Sequence, residues 1–213
     1  MTLDQSCSPG SLFAAALRGD NVHLLDATSR SRPLAMLRWT TTDASDRFVL
    51  ESCEGATLDV GCGPGRLTSG LAASGVVALG IDVVPEAVEQ TRARGALALL
   101  RDVFAEVPGH GRWGTVLLAD GNIGIGGDPE RLLNRVAALL APGGRVVVDL
   151  APPGRGSNVR EIRLSSGGLV SDPFQWAMVS VDLIGEVATS AALTVLRTHD
   201  YEGRWFAVLS KAR

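Results

Sequence analysis

One stretch of the chain, from residue 56 to residue 150, alternates short apolar runs with segments of helical pattern, and this alternation limits the possible folds. The apolar runs have the length of strands and cover residues 56–61, 76–81, 96–100, 115–119 and 145–149. Because these runs are continuous rather than alternating, they predict strands that are buried on both faces. Strands that alternate with helices indicate a parallel sheet with helices on both sides. We therefore predict a doubly wound α/β fold.

The segments on either side of this stretch have weaker patterns. Residues 11–55 contain two helical patterns, around 12–17 and 44–53, with a polar region between them, so we expect an N-terminal helical cover. Residues 151–213 contain two hairpin patterns, at 159–171 and 194–209, and a helix that Asp182 would cap. No linker is apparent, and 213 residues suit one domain, so we expect both hairpins to complete the same sheet.

The composition argues against several classes of protein. The chain is 46% hydrophobic and 20% charged, as globular proteins are, and its net charge of -3 with no basic patch does not favour nucleic acid. No apolar run resembles a signal peptide or a membrane span. Three cysteines occur with neither zinc-site nor disulfide spacing, so we expect no metal and a cytoplasmic setting.

The glycine-rich turn after the first predicted strand carries the main functional signal. It reads Leu-Asp-Val-Gly-Cys-Gly-Pro-Gly-Arg-Leu over residues 58–67, and a helical pattern follows it. Glycines at 61, 63 and 65 let the backbone turn sharply and let a ligand approach closely. This spacing is neither the dinucleotide fingerprint nor a triphosphate loop. Asp82 ends the second predicted strand, where a carboxylate can accept hydrogen bonds from ribose hydroxyls.

Four segments together resemble the class I S-adenosylmethionine-dependent methyltransferase family. They are Asp59-Val-Gly-Cys-Gly-Pro-Gly65, Gly80-Ile-Asp82, Asp102 and Leu139-Leu-Ala-Pro-Gly-Gly144, in the family's order and spacing over about residues 56–150. The resemblance implies S-adenosylmethionine as cofactor and a mainly parallel seven-stranded sheet with an antiparallel last strand. It divides the single domain 1–213 into the cover (1–55), a cofactor-binding core (56–150), and an acceptor-side insertion with the terminal hairpin (151–213).

The resemblance also assigns roles to individual residues. It implies that Asp59 holds the methionine amino group, that Asp82 binds the ribose, and that Asp102 and Val103 frame the adenine. The full set of expected cofactor-binding residues is Asp59, Gly61, Cys62, Gly63, Gly65, Asp82, Val83, Asp102, Val103, Ala119 and Asp120. Each aspartate also has a purely structural interpretation, because a carboxylate after a strand commonly caps a turn or a helix.

The acceptor side has fewer signals. The chain lacks the Asn/Asp-Pro-Pro-Tyr motif of the family's adenine and glutamine amino methylators. Asn122, in a glycine-rich run that could equally be a simple turn, is a candidate polar contact with the acceptor. Trp39 and Trp176 are candidate pocket residues, with core packing as the alternative. His23 is the candidate general base, because the other two histidines lie in exposed turns.

These observations predict methyl transfer to an oxygen or nitrogen of a small-molecule acceptor, driven mainly by proximity and alignment. We expect residues 11–45 to form a mobile cover that selects the acceptor together with the segment around Trp176. Two alternatives stay open. A nicotinamide-dependent dehydrogenase shares the layout but not the glycine spacing, and a protein of the same fold could bind the cofactor for another reaction or a regulatory role. The oligomeric state is not predicted.

Overall fold

The computed structural model describes residues 5–28, 30–34 and 36–212. Its strands are β1 (Gln5–Cys7), β2 (His23–Asp26), β3 (Ser31–Pro33), β4 (Thr57–Val60), β5 (Ala78–Asp82), β6 (Ala98–Leu100), β7 (Trp113–Leu118), β8 (Leu140–Leu150), β9 (Ser157–Ser166), β10 (Leu169–Ser171), β11 (Phe174–Val179), β12 (Leu193–Tyr201) and β13 (Arg204–Lys211). Its helices are α1 (Pro9–Leu17), α2 (Met36–Thr40), α3 (Ala44–Ser52), α4 (Arg66–Ala73), α5 (Pro85–Ala93), α6 (Pro129–Leu139) and α7 (Ile184–Thr189), with a 3-10 helix at Asn122–Gly127.

The main sheet of the described chain has seven strands in the order β12-β13-β8-β7-β4-β5-β6. The strands β8, β7, β4, β5 and β6 run parallel to one another, and the last strand, β13, is antiparallel to β8. The predicted fold class, including the antiparallel last strand, is confirmed. The three consecutive valines of β8, Val146, Val147 and Val148, are fully buried, as the continuous apolar run predicted.

Helices cover both faces of this sheet. On one face, Val49 of α3 and Leu71 of α4 pack against Val147 and Phe206. On the other face, α6 and α7 pack against the alternate residues of the same strands. Asp128 caps α6 by accepting a hydrogen bond from the Arg131 amide nitrogen at 3.0 Å, with proline in the first turn of the helix.

A second sheet, which the sequence analysis did not predict, covers the carboxyl ends of the main strands. Its strands follow the order β1-β10-β9-β2-β3, and β11 pairs with the other part of β9. The predicted helical cover is therefore wrong in part, because residues 5–33 contribute three strands as well as α1. The predicted hairpin 159–171 forms, but it belongs to this second sheet and does not complete the main one.

The N-terminal segment is built into this second sheet. Strand β2 lies between β9 and β3, with Leu24 opposite both Leu164 and Arg32. Beneath the sheet, Leu12 and Ala16 of α1 pack against Leu164, which is fully buried. The N-terminal segment is therefore an integral part of the second sheet and of its packing.

The predicted cap of α7 is also wrong. The helix begins at Ile184, and the preceding Leu183 occupies the cap position without a side-chain hydrogen bond. Asp182 instead accepts hydrogen bonds from the Ser180 hydroxyl and from the Gly154 amide, so it joins two loops. No helix in the described ranges combines the length and the hydrophobicity that crossing a bilayer requires, and the longest of them has 11 residues.

We predict that Leu164→Ala lowers the free energy of unfolding by about 2–5 kcal/mol, because it empties a fully buried site between α1 and the second sheet. Chemical denaturation followed by circular dichroism measures this change. Val159→Ala, on the same strand with the Val159 side chain 53% exposed, is the control and should change stability by less than about 1 kcal/mol. Equal effects of the two substitutions would show that the cluster under α1 does not belong to the cooperative fold.

Candidate active site

A cavity of about 1070 Å³ lies between the second sheet and the carboxyl ends of the main strands. The turns after β4, β5, β6, β7 and β8 form one side of it, and α1, α2 and the second sheet form the other. This is the edge where open α/β sheets bind ligands. Ten of the eleven expected cofactor-binding residues line this cavity, and Gly65 is the exception.

The three loop glycines have different physical roles. All three lie in the left-handed region, with φ of +68° at Gly61, +54° at Gly63 and +83° at Gly65. A Cβ on Gly65 would lie 2.8 Å from the Cα of Thr91, and one on Gly61 would lie 2.7 Å from Nδ2 of Asn122. A Cβ on Gly63 would meet no atom within 4 Å. Two glycines thus allow close packing within the protein, whereas Gly63 leaves open space in the cavity.

The Asp82 carboxylate holds the glycine loop at Gly63, where a Cβ would meet no other atom. Its Oδ2 accepts a hydrogen bond from the Gly63 amide at 3.0 Å, and its Oδ1 accepts one from the Val84 amide at 2.9 Å. Burial raises the pKa of this carboxyl, while the two amides oppose the shift. Since each carboxylate oxygen has a second lone pair, Asp82 can still accept hydrogen bonds from a ligand in the cavity.

Asp59 is a buried carboxyl at the end of β4. The Thr68 hydroxyl donates to its Oδ2 at 2.6 Å. Burial raises the pKa of Asp59 to about 6, and the nearby Asp120 carboxylate acts in the same direction, while the Thr68 hydrogen bond opposes the shift. A carboxyl held in this way suits a cationic partner, because a positive charge would stabilise its ionised form.

The remaining residues of the expected cofactor side pack closely or form turns. Asp102 is exposed and accepts a hydrogen bond from the Phe104 amide at 2.9 Å. This bond agrees with the structural interpretation of Asp102 as a turn residue. Asp102 also lines the cavity. Val103 is buried beside it. The Cys62 thiol lies 3.7 Å from the Thr91 hydroxyl, and burial raises its pKa. A buried neutral thiol is a packing group and not a nucleophile.

Asp120 belongs to a network of charged side chains that the sequence analysis missed. Its Oδ2 accepts a hydrogen bond from Nη2 of Arg66 at 2.6 Å, and its Oδ1 accepts one from Nη2 of Arg204 at 2.9 Å. Asp46 of α3 pairs with both of these arginines. Arg66 and Arg204 are almost completely buried, so the paired carboxylates compensate for much of the cost of their burial.

The same network continues toward the second sheet. Asp149, at the end of β8, accepts hydrogen bonds from Nε of Arg204 at 3.3 Å and from Nη2 of Arg38 at 3.4 Å. Burial raises the pKa of Asp149 to about 6, and the two arginines oppose this shift. Arg38 comes from α2 and is half exposed, and its Nε also lies 3.6 Å from Asp120. The network therefore connects the N-terminal segment to the main sheet.

The three expected acceptor-side residues all line the cavity, but the Asn122 side chain is partly engaged by the protein itself. Trp39 and Trp176 both line the cavity and are half buried. Asn122 also lines it, but its Nδ2 donates to the carbonyl oxygens of Val60 at 2.8 Å and Gly61 at 3.0 Å, so its amide group holds the glycine loop. Only its Oδ1 is left for a ligand.

His23 does not fit the role of general base. It is not among the residues that line the cavity, and its Nδ1 lies 2.8 Å from the Ser31 hydroxyl in the adjoining strand. The pairing of β2 with β3 brings the His23 ring next to Ser31 of β3, and its hydrogen bond is made there. The position of His23 therefore gives no support to a role as general base.

Comparison with known proteins agrees with this geometry. A family model described as a methyltransferase domain matches residues 57–144. A crystal structure of a methyltransferase from Bacteroides fragilis in complex with S-adenosylhomocysteine has the same fold, with a TM-score of 0.78 and 20% identity over 100% of this chain and 98% of that one. The match to the methyltransferase domain covers residues 57–144, and the fold is that of S-adenosylmethionine-dependent methyltransferases.

Two further structures show the same methyltransferase fold. The 1,6-didemethyltoxoflavin-N1-methyltransferase of Burkholderia thailandensis has a TM-score of 0.63 and 16% identity over 100% of this chain and 94% of that one. An amino pentose methyltransferase of Micromonospora echinaspora, involved in calicheamicin biosynthesis, has a TM-score of 0.60 and 17% identity over 84% of this chain and 95% of that one. No curated protein sequence matches the chain.

The raised pKa of Asp59 predicts a pH dependence of stability. Because the folded pKa of about 6 lies above the usual 3.8, the folded state keeps this proton to higher pH than the unfolded state. Asp59 therefore lowers the free energy of unfolding as the pH rises from about 4 to about 6. Relative to Asp59→Asn, the wild type should lose about 2–3 kcal/mol between pH 4 and pH 7.

Urea denaturation at several pH values measures this difference. Asp149 titrates in the same window but is present in both proteins, so it largely cancels. The exposed Asp20→Asn is the control and should follow the wild-type curve. A constant offset between wild type and Asp59→Asn at all pH values would contradict the raised pKa.

Proposed function

We propose that this protein binds S-adenosylmethionine in the cavity and transfers its methyl group to an oxygen or nitrogen of a small molecule that binds in the same cavity. One observation carries the proposal. In a cavity of about 1070 Å³, Gly63 leaves space for a ligand directly beside the Asp82 carboxylate. This volume slightly exceeds the usual range for ligand pockets, so it can hold a cofactor and a small acceptor together.

The residues on the main-sheet side fit S-adenosylmethionine. The missing Cβ of Gly63 leaves room for a ligand over the loop, and the free lone pairs of Asp82 suit two ribose hydroxyls. Asp59 would hold the methionine ammonium group, and Asp102 and Val103 would frame the adenine. When bound, the cofactor supplies a methyl group that is already activated by its positively charged sulfur.

The protein's own contribution would be alignment and the exclusion of water. No histidine lines the cavity within the described ranges, so a dedicated imidazole base is not part of the proposal. Holding a nucleophile in line with an activated methyl group can by itself supply much of the rate. The second sheet and α2 cover the cavity and would keep water away from the reacting atoms.

The proposal of a small acceptor has support from the relatives and from the charge. By their names, the Burkholderia enzyme methylates 1,6-didemethyltoxoflavin and the Micromonospora enzyme an amino pentose, and both are small molecules. A net charge of -3 does not favour a nucleic-acid acceptor. Three free cysteines, two of them buried, support the proposal of a reducing cytoplasmic setting. The oligomeric state is not part of the proposal.

We predict that Asp82→Ala weakens binding of S-adenosylhomocysteine by about 1.5–3 kcal/mol, because the ribose hydroxyls lose an ionised acceptor. Asp82→Asn keeps one acceptor oxygen and should have an intermediate affinity. Isothermal titration calorimetry measures both. NAD should not bind to the wild type.

The control is Glu89→Ala, which removes an exposed carboxylate from α5, outside the cavity lining. It should bind S-adenosylhomocysteine like the wild type. An Asp82→Ala protein that is folded and binds with unchanged affinity would show that Asp82 only orders the glycine loop. Tight binding of NAD would contradict the assignment of the site.

A further inference from the structure

Aromatic side chains are concentrated at the cavity. The chain contains only ten aromatic residues, and five of them line the cavity: Phe13, Trp39, Phe174, Trp176 and Tyr201. All five are half buried, so each keeps part of its ring exposed. Four of them form a continuous series, in which neighbouring ring centroids are 6.1–6.4 Å apart, from Trp39 through Phe13 and Phe174 to Trp176. This series offers a flat ligand several ring faces and edges.

Two of these rings belong to the inner face of the second sheet. Phe174 lies opposite Ile162, and Trp176 lies opposite Arg160, in the pairing of β11 with β9. Residues directly opposite each other project to the same face of a sheet, so Arg160 stands beside Trp176. We call the cavity-lining residues of β2, β3, β9 and β11 the second-sheet wall.

The charged residues of the second-sheet wall are both arginines, Arg32 and Arg160. Within the described ranges, the Arg32 side chain has no ion-pair or hydrogen-bond partner, and Arg160 donates only to the neutral amide oxygen of Asn158 at 3.0 Å. Asp26 is on the same face of β2, but its Oδ1 accepts three hydrogen bonds from Thr28 and Arg30 in its own turn. The second-sheet wall therefore combines rings with two guanidinium groups that form no ion pair with a described carboxylate.

Carboxylates on the other walls are largely engaged. Asp120 and Asp149 pair with arginines in the buried network, and Asp43 caps α3 by accepting hydrogen bonds from the Ser45 and Asp46 amides. Glu202 is exposed in the turn between β12 and β13. An amino sugar needs free carboxylates for its ammonium group, and the second-sheet wall has none among its described residues.

We propose that the acceptor is a planar aromatic or heteroaromatic anion, with its ring on the second-sheet wall and its anionic group on Arg32 or Arg160. This inference rests on the proposed methyltransferase function. Guanidinium groups bind carboxylates through paired hydrogen bonds, and they also stack well on aromatic rings. The wall thus provides both kinds of contact that such a molecule requires.

Calorimetry on the full-length protein, saturated with S-adenosylhomocysteine, tests this inference. The probes are indole-3-carboxylate, its neutral analogue indole-3-carboxamide, and glucosamine as a non-aromatic cation. We expect indole-3-carboxylate to bind at least tenfold more tightly than either of the others. The double variant Arg32→Gln/Arg160→Gln should reduce this affinity at least tenfold and leave S-adenosylhomocysteine binding unchanged.

Matched variants separate binding from folding. Arg30→Gln changes an exposed arginine of the same hairpin that does not line the cavity, and it should have no effect on either ligand. Phe174→Leu should weaken indole-3-carboxylate binding. Phe48→Leu, at a half-buried ring that packs on His199 outside the cavity, should not.

Three results would overturn the inference. They are equal affinity for the carboxylate and the carboxamide, tighter binding of glucosamine, and no binding of any probe to the protein saturated with S-adenosylhomocysteine. Failure of S-adenosylhomocysteine itself to bind would contradict the proposed function, and the inference with it. The two failures are therefore distinguishable in one experiment.

Discussion

The buried pairing of Arg66 and Arg204 with Asp46 and Asp120 is the interaction on which the rest of the site depends. It joins α3, α4, β13 and the turn after β7 at one point, and Arg38 extends it to the N-terminal segment. Burying an ion is expensive, and removing one partner of such a pair leaves the other charge uncompensated. The network thus requires these elements to meet, and their meeting closes one side of the cavity.

The two sides of the cavity differ in how far the sequence reveals them. The cofactor side is formed by a strand, a glycine turn and a helix that follow one another, so local patterns predicted it. The second-sheet wall depends on pairs such as Leu24 with Leu164, which are remote in sequence. Strands β2 and β3 are short and lack a regular alternation of buried and exposed residues, so neither could be recognised as a strand from its pattern.

Single charged residues could not be assigned for a similar reason. Nothing in the sequence distinguishes Arg66 or Arg204 from the other arginines, because their importance comes from burial and from partners on other elements. The glycines after Asp120 indicated a turn at this position but not the charged network around it. The φ of Asp120, +52°, shows that the turn is tightly constrained. The candidate role of His23 was predicted without the neighbouring strand, whose Ser31 hydroxyl forms a hydrogen bond with the His23 ring.

The central proposal is that S-adenosylmethionine lies over Gly63, with its ribose at Asp82. A crystal structure of the protein with S-adenosylhomocysteine tests this claim most directly. We predict both ribose hydroxyls within about 3.2 Å of the Asp82 carboxylate oxygens, and the adenine beside Val103. Density for the ligand elsewhere, or a ribose that has no contact with Asp82, would contradict the account.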